Sequence, residues 1–343
     1  MSDESLLSLK DLKVHFHTML GVVRAVDGVS IEIPRKRIVG IVGESGCGKS
    51  VMARSILGIV PPPGRVVGGE IVYRGSHDLA AIDLARLDPR GKPIRRFRGQ
   101  EIAMIFQEPM SSLSPVHTVG NQLMEAISLY SPGISTTDAR ARTIDLLREV
   151  GIPSPATQID AHVFELSGGM RQRVLIALSI AGDPKVLIAD EPTTAIDVTI
   201  QAKVLKLLRR IQEETDMSIV FITHNLGVIA QVAHEVYVMY LGRIVESGPV
   251  DQIFEDPQHP YTQKLIKSIP SVETEPKSVL DTIEGTLPDP YEQHAGCRFA
   301  SRCPAFMPDV CDRAEPELYA VGANRSVRCF LHDAQAATQA RES

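Results

Sequence analysis

A glycine-rich stretch near the start of the chain has the residue types and spacing of a phosphate-binding loop. It fits the pattern G-x-x-x-x-G-K-[ST] and consists of Gly43, Glu44, Ser45, Gly46, Cys47, Gly48, Lys49 and Ser50. An apolar run at 38–42 precedes it and a helix-compatible run at 51–59 follows, which is the strand-loop-helix context this motif needs. Glycines let backbone N–H groups face an anion, while Lys49 reaches the β- and γ-phosphates and Ser50 offers a hydroxyl to Mg²⁺. A chance glycine loop carrying a lysine is the alternative.

Two adjacent carboxylates, Asp190 and Glu191, end a second apolar run at 186–190. Ligands of α/β sheets bind at the edge formed by the carboxyl ends of the strands. Asp190 is predicted to help hold Mg²⁺ opposite Ser50, and Glu191 to orient and deprotonate the water that attacks the γ-phosphate. A solvated strand end or helix start is the alternative interpretation.

Gln107 and His224 each follow a predicted core strand and are expected to emerge at the same edge. The amide of Gln107 is able to touch both Mg²⁺ and water. A neutral imidazole at His224 can hydrogen-bond the γ-phosphate and the attacking water. An ordinary surface glutamine and a structural histidine are the alternatives.

Alternating strands and helices position these residues and predict an α/β fold with a mostly parallel sheet. Two β-rich runs at 6–16 and 22–33 predict an antiparallel pair beside the nucleotide core, and a helical insertion is expected at about 108–180. We expect a nucleotide-binding domain over 1–255, a loop-rich C-terminal extension over 256–330 and a disordered tail over 331–343.

Net charge and the distribution of apolar residues exclude some classes of function and location. The formal net charge of −6 argues against a nucleic-acid partner. No apolar run approaches the length of a membrane span, and the acidic N-terminus lacks the apolar region of a signal peptide. We therefore expect a protein made and kept in the cytoplasm.

The run from Leu166 to Gln172, which contains Ser167, Gly168 and Gly169, gives the chain its family resemblance. Together with the phosphate loop, Gln107, Asp190-Glu191, Ala195-Ile196-Asp197 and His224, it resembles the ATPase subunit of an ABC transporter. The runs 107–115, 189–194 and 259–262 are similar to those of the dipeptide/oligopeptide/nickel importer subgroup. The resemblance implies a phosphate-loop ABC ATPase with a parallel sheet core, an antiparallel β subdomain, a helical subdomain and a cysteine-containing C-terminal extension.

The same resemblance implies a two-subunit arrangement of the nucleotide sites. Ser167, Gly168 and Gly169 would clamp the γ-phosphate of ATP held by a neighbouring subunit, and Asp197 matches the loop that crosses this interface. Gln107 and the segment after it would contact the membrane partners. Phe16 aligns with the aromatic residue that stacks on adenine, with a core phenylalanine as the alternative.

The function that follows is ATP hydrolysis driving solute import, most readily of peptides, at the cytoplasmic face of the inner membrane. The implied partners are a second, homologous ATPase subunit in a heterodimer, two transmembrane permeases and an extracytoplasmic substrate-binding protein. Uptake of nickel, sugars or opines by the same subunit type is an alternative. A soluble ABC ATPase of DNA repair or translation, or a regulatory module, are others.

Four cysteines crowd the C-terminal extension: Cys297, Cys303, Cys311 and Cys329. A reducing cytoplasm disfavours a disulfide, and the C-x2-C pairs typical of structural zinc are absent from the sequence. Unrelated buried thiols are the plain interpretation. The resemblance implies a four-iron, four-sulfur cluster, which four thiolates suit, with zinc as the runner-up.

Overall fold

The computed structural model of the chain describes residues 5–75, 81–107, 112–194, 197–269, 283, 285–292 and 294–333. Residues 108–111 of the predicted permease-contacting segment, Ala195 and Ile196 of the predicted interface loop, and residues 334–343 of the predicted tail lie outside these ranges.

The larger sheet has eight strands in the order β11-β12-β10-β9-β3-β8-β7-β6. Its parallel part consists of β9, β3, β8, β7 and β6, and the strands beyond β9 are antiparallel. The bounds are β3 Ile38–Val42, β6 Ile102–Ile105, β7 Val186–Asp190, β8 Ser218–Thr223, β9 Glu235–Tyr240, β10 Arg243–Pro249, β11 Tyr319–Gly322 and β12 Arg325–Val327.

A second sheet of four antiparallel strands lies beside the first, in the order β2-β1-β4-β5. Its strands are β1 Ser5–Thr18, β2 Gly21–Pro34, β4 Gly64–Tyr73 and β5 Ile82–Asp83. The antiparallel pair predicted at 6–16 and 22–33 is confirmed, with β1 paired to β2 along nearly its whole length.

The helices connect the strands of the larger sheet or extend beyond it. They are α1 Lys49–Ile56, α2 Lys92–Phe97, α3 Val119–Tyr130, α4 Thr136–Glu149, α5 Pro155–Gln158, α6 Gly168–Ile180, α7 Val198–Thr215, α8 Leu226–Val232, α9 Val250–Glu255 and α10 Pro260–Lys267. Between β6 and β7, the described residues form α3, α4, α5 and α6, joined by short connections. Within the described ranges, no helix combines the length and apolar character needed to cross a membrane.

Both faces of the parallel strands are covered. Every residue of β3, β7 and β8 is buried, which explains their continuous apolar runs. Ile38 and Val42 on β3 pack with the apolar residues of the helical layers, whereas Val39 and Ile41 pack with those of the antiparallel sheet. The alternating directions of strand side chains therefore divide the interior into two cores on opposite sides of one sheet.

Among its described residues, the C-terminal extension contains two strands in addition to loops. Strands β11 and β12 form a hairpin that adds to the larger sheet through the pairing of Glu246 with Val327. The extension also supplies Tyr261 and Phe299 to a buried aromatic cluster with Tyr240, in which the ring centroids lie 4.7 to 5.4 Å apart. Sequence patterning misses the hairpin because each strand is too short to show a period.

The aromatic cluster predicts a stability difference between two phenylalanines of the extension. Phe299 is 1% exposed and Phe306 is 40% exposed. Phe299→Ala should lower the free energy of unfolding by about 3–5 kcal/mol, because it leaves a cavity among packed rings. Phe306→Ala serves as the matched control and should change it little. Thermal denaturation of the purified protein checks this, and equal effects of the two substitutions would contradict the packing account.

Candidate nucleotide-hydrolysis site

The phosphate loop leaves the centre of the larger sheet at the end of β3 and enters α1. Gly43 and Gly48 have φ angles of 153° and 105°, and a Cβ atom at either would approach a backbone oxygen of Met239 or Ala25 to 2.1 or 2.0 Å. Neither position therefore tolerates a side chain. The loop packs closely against β2 and β9, and this contact restricts its conformation.

Lys49 folds back into the loop. Its Nζ atom donates to the carbonyl oxygens of Gly43 at 2.7 Å and Glu44 at 2.9 Å, and it lies 3.7 Å from the sulfur of Cys47. The residue is only 5% exposed. The ammonium group is thus held in the concavity of the loop. A phosphate bound there can replace these carbonyls as the hydrogen-bond partner of Lys49.

The predicted magnesium residues Ser50 and Asp190 are in contact. The Ser50 hydroxyl donates to Oδ1 of Asp190 at 3.0 Å. Oδ2 of Asp190 is buried and has no hydrogen-bond partner among the described residues. Burial raises the pKa of this carboxyl, and the Glu191 charge acts in the same direction, while the Ser50 hydrogen bond opposes them. A buried, under-satisfied carboxylate beside a hydroxyl suits a hard divalent cation, whose charge would offset the cost of ionisation.

Glu191 receives three side-chain contacts. Its Oε1 lies 3.0 Å from Nδ1 of His224, and its Oε2 accepts from Nε2 of Gln107 at 3.0 Å and from Oγ1 of Thr194 at 2.9 Å. Burial would raise its pKa, but the hydrogen bonds from His224 and Thr194, with the charges of His224 and Lys49, bring it below the ordinary value. The carboxylate is therefore ionised at neutral pH and held in one orientation.

Strand register explains why these residues meet. Val42 pairs with Thr223, Asp190 pairs with Ile222, and Ile105 pairs with Ala189. Parallel strands in this register end together, so the residues that follow them share one edge of the sheet. The predicted convergence of Gln107, Asp190, Glu191 and His224 with the phosphate loop is thus observed.

Other predicted site residues face outward. Ser167 caps α6 by accepting a hydrogen bond from the Met170 N–H at 3.4 Å, and Asp197 caps α7 in the same way from Ile200 at 2.9 Å. Both caps are exposed, and a Cβ atom at Gly168 would meet no atom within 4 Å, whereas Gly169 is buried. These helix N-termini therefore present an open surface.

Phe16 is half-buried on β1, with its ring against Gly64 of β4. A Cβ atom at Gly64 would lie 2.6 Å from a ring carbon. Beside Gly46 there is a separate cavity of about 100 Å³, lined by residues that include Val23, Ala25 and Arg298. An adenine-stacking role for Phe16 stays a prediction.

Three residues that contact the site were not predicted from the sequence: Thr194, Tyr261 and Arg302. Thr194 and Tyr261 stand inside motifs that the sequence displays, but their side-chain directions require the fold. The backbone N–H of Glu44 donates to the Tyr261 hydroxyl at 2.9 Å. Arg302 contacts both carboxylate oxygens of Glu44, at 2.7 and 3.0 Å, and has no motif to mark it.

All five cysteines are free thiols. Cys297 and Cys311 are joined through a backbone hydrogen bond of 2.7 Å. Burial raises the pKa of Cys297 to about 11, with Cys311 and Cys303 adding to the shift. Burial raises the pKa of Cys329 to about 12, and the other three cysteines of the set add to that shift. Within the described ranges, no group of three or more His, Cys, Asp or Glu side chains is arranged to hold a metal ion.

Comparison with known proteins defines the class. The ABC transporter family matches residues 26–194, and the C-terminal region of oligopeptide/dipeptide transporters matches residues 245–311. The dipeptide transport ATP-binding proteins DppD of Haemophilus influenzae and Bacillus subtilis are 44% and 45% identical to the chain. The alignments cover 95% of both chains for the first, and 97% of this chain and 96% of the relative for the second.

Solved structures agree on the fold. A dimeric ATP-binding cassette in a post-hydrolysis state, bound to ADP and Pi, is 24% identical, with a TM-score of 0.62, over 71% of this chain and 98% of that chain. CbiO1 from Clostridium perfringens, part of an ABC transporter complex, is 25% identical, with a TM-score of 0.60, over 74% of this chain and 92% of that chain.

The chain therefore belongs to the ABC transporter family, as an ATP-binding subunit of the ATP-hydrolysing kind. The predicted α/β phosphate-loop ATPase fold is confirmed. Its C-terminal part matches the region found in oligopeptide/dipeptide transporters.

The hydrogen bond from Thr194 predicts a pH effect on ATP hydrolysis. Donation to the carboxylate lowers the pKa of Glu191, so Thr194→Val should raise it. A base must be ionised to accept a proton, so the acidic limb of the kcat profile should move to higher pH. Thr215→Val is the control, because the Thr215 hydroxyl bonds only its own helix, at Ile211. An unchanged acidic limb in Thr194→Val would contradict this account.

Proposed function

We propose that this chain is the ATP-hydrolysing subunit of an ABC importer that takes up dipeptides or oligopeptides at the cytoplasmic face of the inner membrane. The observation that carries the proposal is the match of residues 245–311 to the oligopeptide/dipeptide transporter C-terminal region. Relatives named dipeptide transport ATP-binding proteins, similar along nearly the whole chain, support it.

In this proposal, Ser50, Asp190 and Gln107 would hold Mg²⁺, and Lys49 would contact the β- and γ-phosphates of ATP. Mg²⁺ supplies neutralisation of the charge that develops on the phosphate oxygens. The buried, unpartnered Oδ2 atom of Asp190 supports this assignment. The glycines and Ser45 would supply backbone N–H groups that cradle the phosphates. Glu44 and Cys47 belong to the same loop and shape it, since the Cys47 N–H donates to the Glu44 carbonyl and the Glu44 N–H donates to Tyr261.

Glu191 acts as the general base. A water oxygen forms a bond to the γ-phosphorus, one water proton passes to the Glu191 carboxylate, and the bond from phosphorus to the bridging oxygen breaks. The electron pair leaves with ADP, and phosphate is the second product. The contacts from Gln107, Thr194 and His224 support this role because they orient the carboxylate and keep it ionised.

The open helix ends fit a head-to-tail pair of ATPase subunits. Ser167, Gly168 and Gly169 would meet the γ-phosphate held by the partner, since a helix N-terminus attracts anions. Asp197 would lie at the crossing loop. A dimeric relative among the solved structures supports pairing, and the subgroup resemblance favours two different subunits in the pair.

A cavity of about 330 Å³ offers a place for the permeases to dock. It is lined by apolar residues of β6, α3 and α6 together with Phe106, which is 39% exposed and directly precedes Gln107. A short cytoplasmic helix of one permease would dock there and move with Gln107. Solute would reach the permeases from an extracytoplasmic binding protein.

The same subunit type could instead serve nickel, sugar or opine uptake. Selectivity in this arrangement lies in the binding protein and the permeases, so the ATPase contributes the energy and not the choice of solute. The names of the relatives favour peptides.

Substitution at the proposed base and at the loop lysine should separate hydrolysis from binding. In the assembled transporter, Glu191→Gln should slow ATP turnover by about 100- to 10,000-fold and keep ATP binding, because the amide cannot accept the proton. Lys49→Ala should weaken ATP binding itself. Uptake of a labelled dipeptide into proteoliposomes should stop in both variants.

Two results would contradict this proposal. Turnover by Glu191→Gln at the parental rate would remove Glu191 as the base. ATP-driven uptake of nickel or a sugar, without uptake of any di- or oligopeptide by the parental transporter, would replace peptides with that solute. Mass spectrometry of the solute carried by the binding protein provides an independent check.

The four C-terminal cysteines are proposed to hold a four-iron, four-sulfur cluster, with zinc as the alternative. Burial raises the pKa of Cys329, and Cys297, Cys303 and Cys311 add to that shift, which supports proximity of the four thiols. Four thiolates are a complete ligand set for such a cluster. Because their described arrangement lacks a metal-ligating group, the side chains would have to converge on binding. The cluster would have a structural role, in which it cross-links the loops of the extension.

Anaerobic purification should yield a brown protein that absorbs near 400 nm, as iron–sulfur charge transfer does, and contains about four irons per chain. Cys303→Ser should lower the iron content, while Phe306→Ala, at an exposed side chain nearby, should not. A colourless protein holding zinc would favour the alternative. A metal-free protein would leave four unrelated thiols, of which Cys311 and Cys329 are buried, as the interpretation.

A further inference from the structure

The phosphate loop is held from outside the nucleotide core at Glu44. The Glu44 carboxylate accepts hydrogen bonds from Nη1 of Arg302 at 2.7 Å and from Nη2 at 3.0 Å. The Glu44 backbone N–H donates to the Tyr261 hydroxyl at 2.9 Å. Both partners belong to the C-terminal extension. One loop residue is therefore fixed through its backbone and its side chain at once.

These contacts are built to be rigid. The Arg302 side chain is 4% exposed, and Tyr261 is fully buried in the aromatic cluster with Tyr240 and Phe299. Arg302 also donates to the Tyr240 hydroxyl at 3.3 Å and to the Ile283 carbonyl at 3.3 Å. A bidentate arginine–carboxylate pair fixes orientation as well as distance. Removal from solvent strengthens it relative to an exposed pair.

Glu44 stands at a point where its position affects the loop as a whole. Its carbonyl oxygen accepts one of the two loop hydrogen bonds of Lys49, at 2.9 Å, and its carbonyl also accepts the Cys47 N–H at 3.3 Å. A shift of Glu44 would therefore move the lysine partner and the turn that aims the backbone N–H groups.

We propose that Arg302 is a positioning residue for ATP binding, which acts through Glu44 to hold the phosphate loop in its binding shape. Tyr261 supports the same residue from the backbone side. The proposal rests on the proposed nucleotide role of the loop. In this proposal the C-terminal extension contributes to ATP binding by positioning the phosphate loop, in addition to any role in holding a metal.

A purely stabilising role for Arg302 makes a different prediction. Other pairs join the extension to the core without touching the loop, such as Arg325 with Glu246 at 3.3 Å. If Arg302 only fastened the extension, its loss would lower the melting temperature and leave the affinity of the folded protein for ATP unchanged.

The test measures ATP binding and turnover in the assembled transporter carrying Arg302→Gln, Glu44→Gln or both. Each single variant should raise the Kd and KM for ATP by about 10- to 100-fold, because a displaced loop meets the phosphates poorly. The kcat should stay near the parental value, since the residue contributes to binding and not to the chemical step. The double variant should match the single variants, because both remove one interaction.

Control variants distinguish the positioning role of Arg302 from the proposed nucleotide role of the loop. Arg302→Lys keeps the charge and should recover part of the affinity, while Arg313→Gln, at an exposed pair with Asp309, should have no effect. Unchanged ATP affinity in Arg302→Gln, or additive losses in the double variant, would overturn the positioning role. Normal ATP binding by Lys49→Ala would instead overturn the nucleotide role of the loop.

Discussion

The site depends on the parallel pairing of β3, β8 and β7 in the centre of the larger sheet. This register pairs Val42 with Thr223 and Asp190 with Ile222, so the phosphate loop, His224 and Glu191 follow their strands at the same edge. A shift of one residue in any pair would turn the side chains of that strand to the opposite face. Burial of both faces makes such a shift costly, because each strand would lose its packing against two cores at once.

Local strain and hydrogen bonding then refine what the register brings together. Glu191 has a φ angle of 48°, a conformation that non-glycine residues seldom adopt. Its backbone N–H bonds the Ile222 carbonyl at 2.9 Å, and its carboxylate has three side-chain partners. Gln172 fixes the following turn by donating to the Pro192 carbonyl at 2.6 Å. Because Gln172 lies on α6, the helix that Ser167 caps is linked directly to the turn that carries Glu191.

The parts of this structure that sequence predicts are those with a local signal. The strands β3, β7 and β8 are continuous apolar runs, and the phosphate loop has a fixed spacing of glycines, so both can be recognised without a structure. The β11–β12 hairpin has strands of four and three residues, too short for a period. The Arg302–Glu44 pair joins residues 258 positions apart and carries no motif, so only the fold can reveal it.

That long-range pair also bears on where the nucleotide site ends. Lys49 holds the loop from inside through the carbonyls of Gly43 and Glu44, and a bound phosphate would draw the ammonium toward itself. Once Lys49 turns to the phosphate, its contacts no longer define the position of Glu44. Arg302 and Tyr261 contact the carboxylate and N–H of Glu44, which the phosphate does not need from that side, so they can persist in both states. The loop thus keeps Glu44 in place while its lysine changes partner, and the residues that hold Glu44 lie in the C-terminal extension.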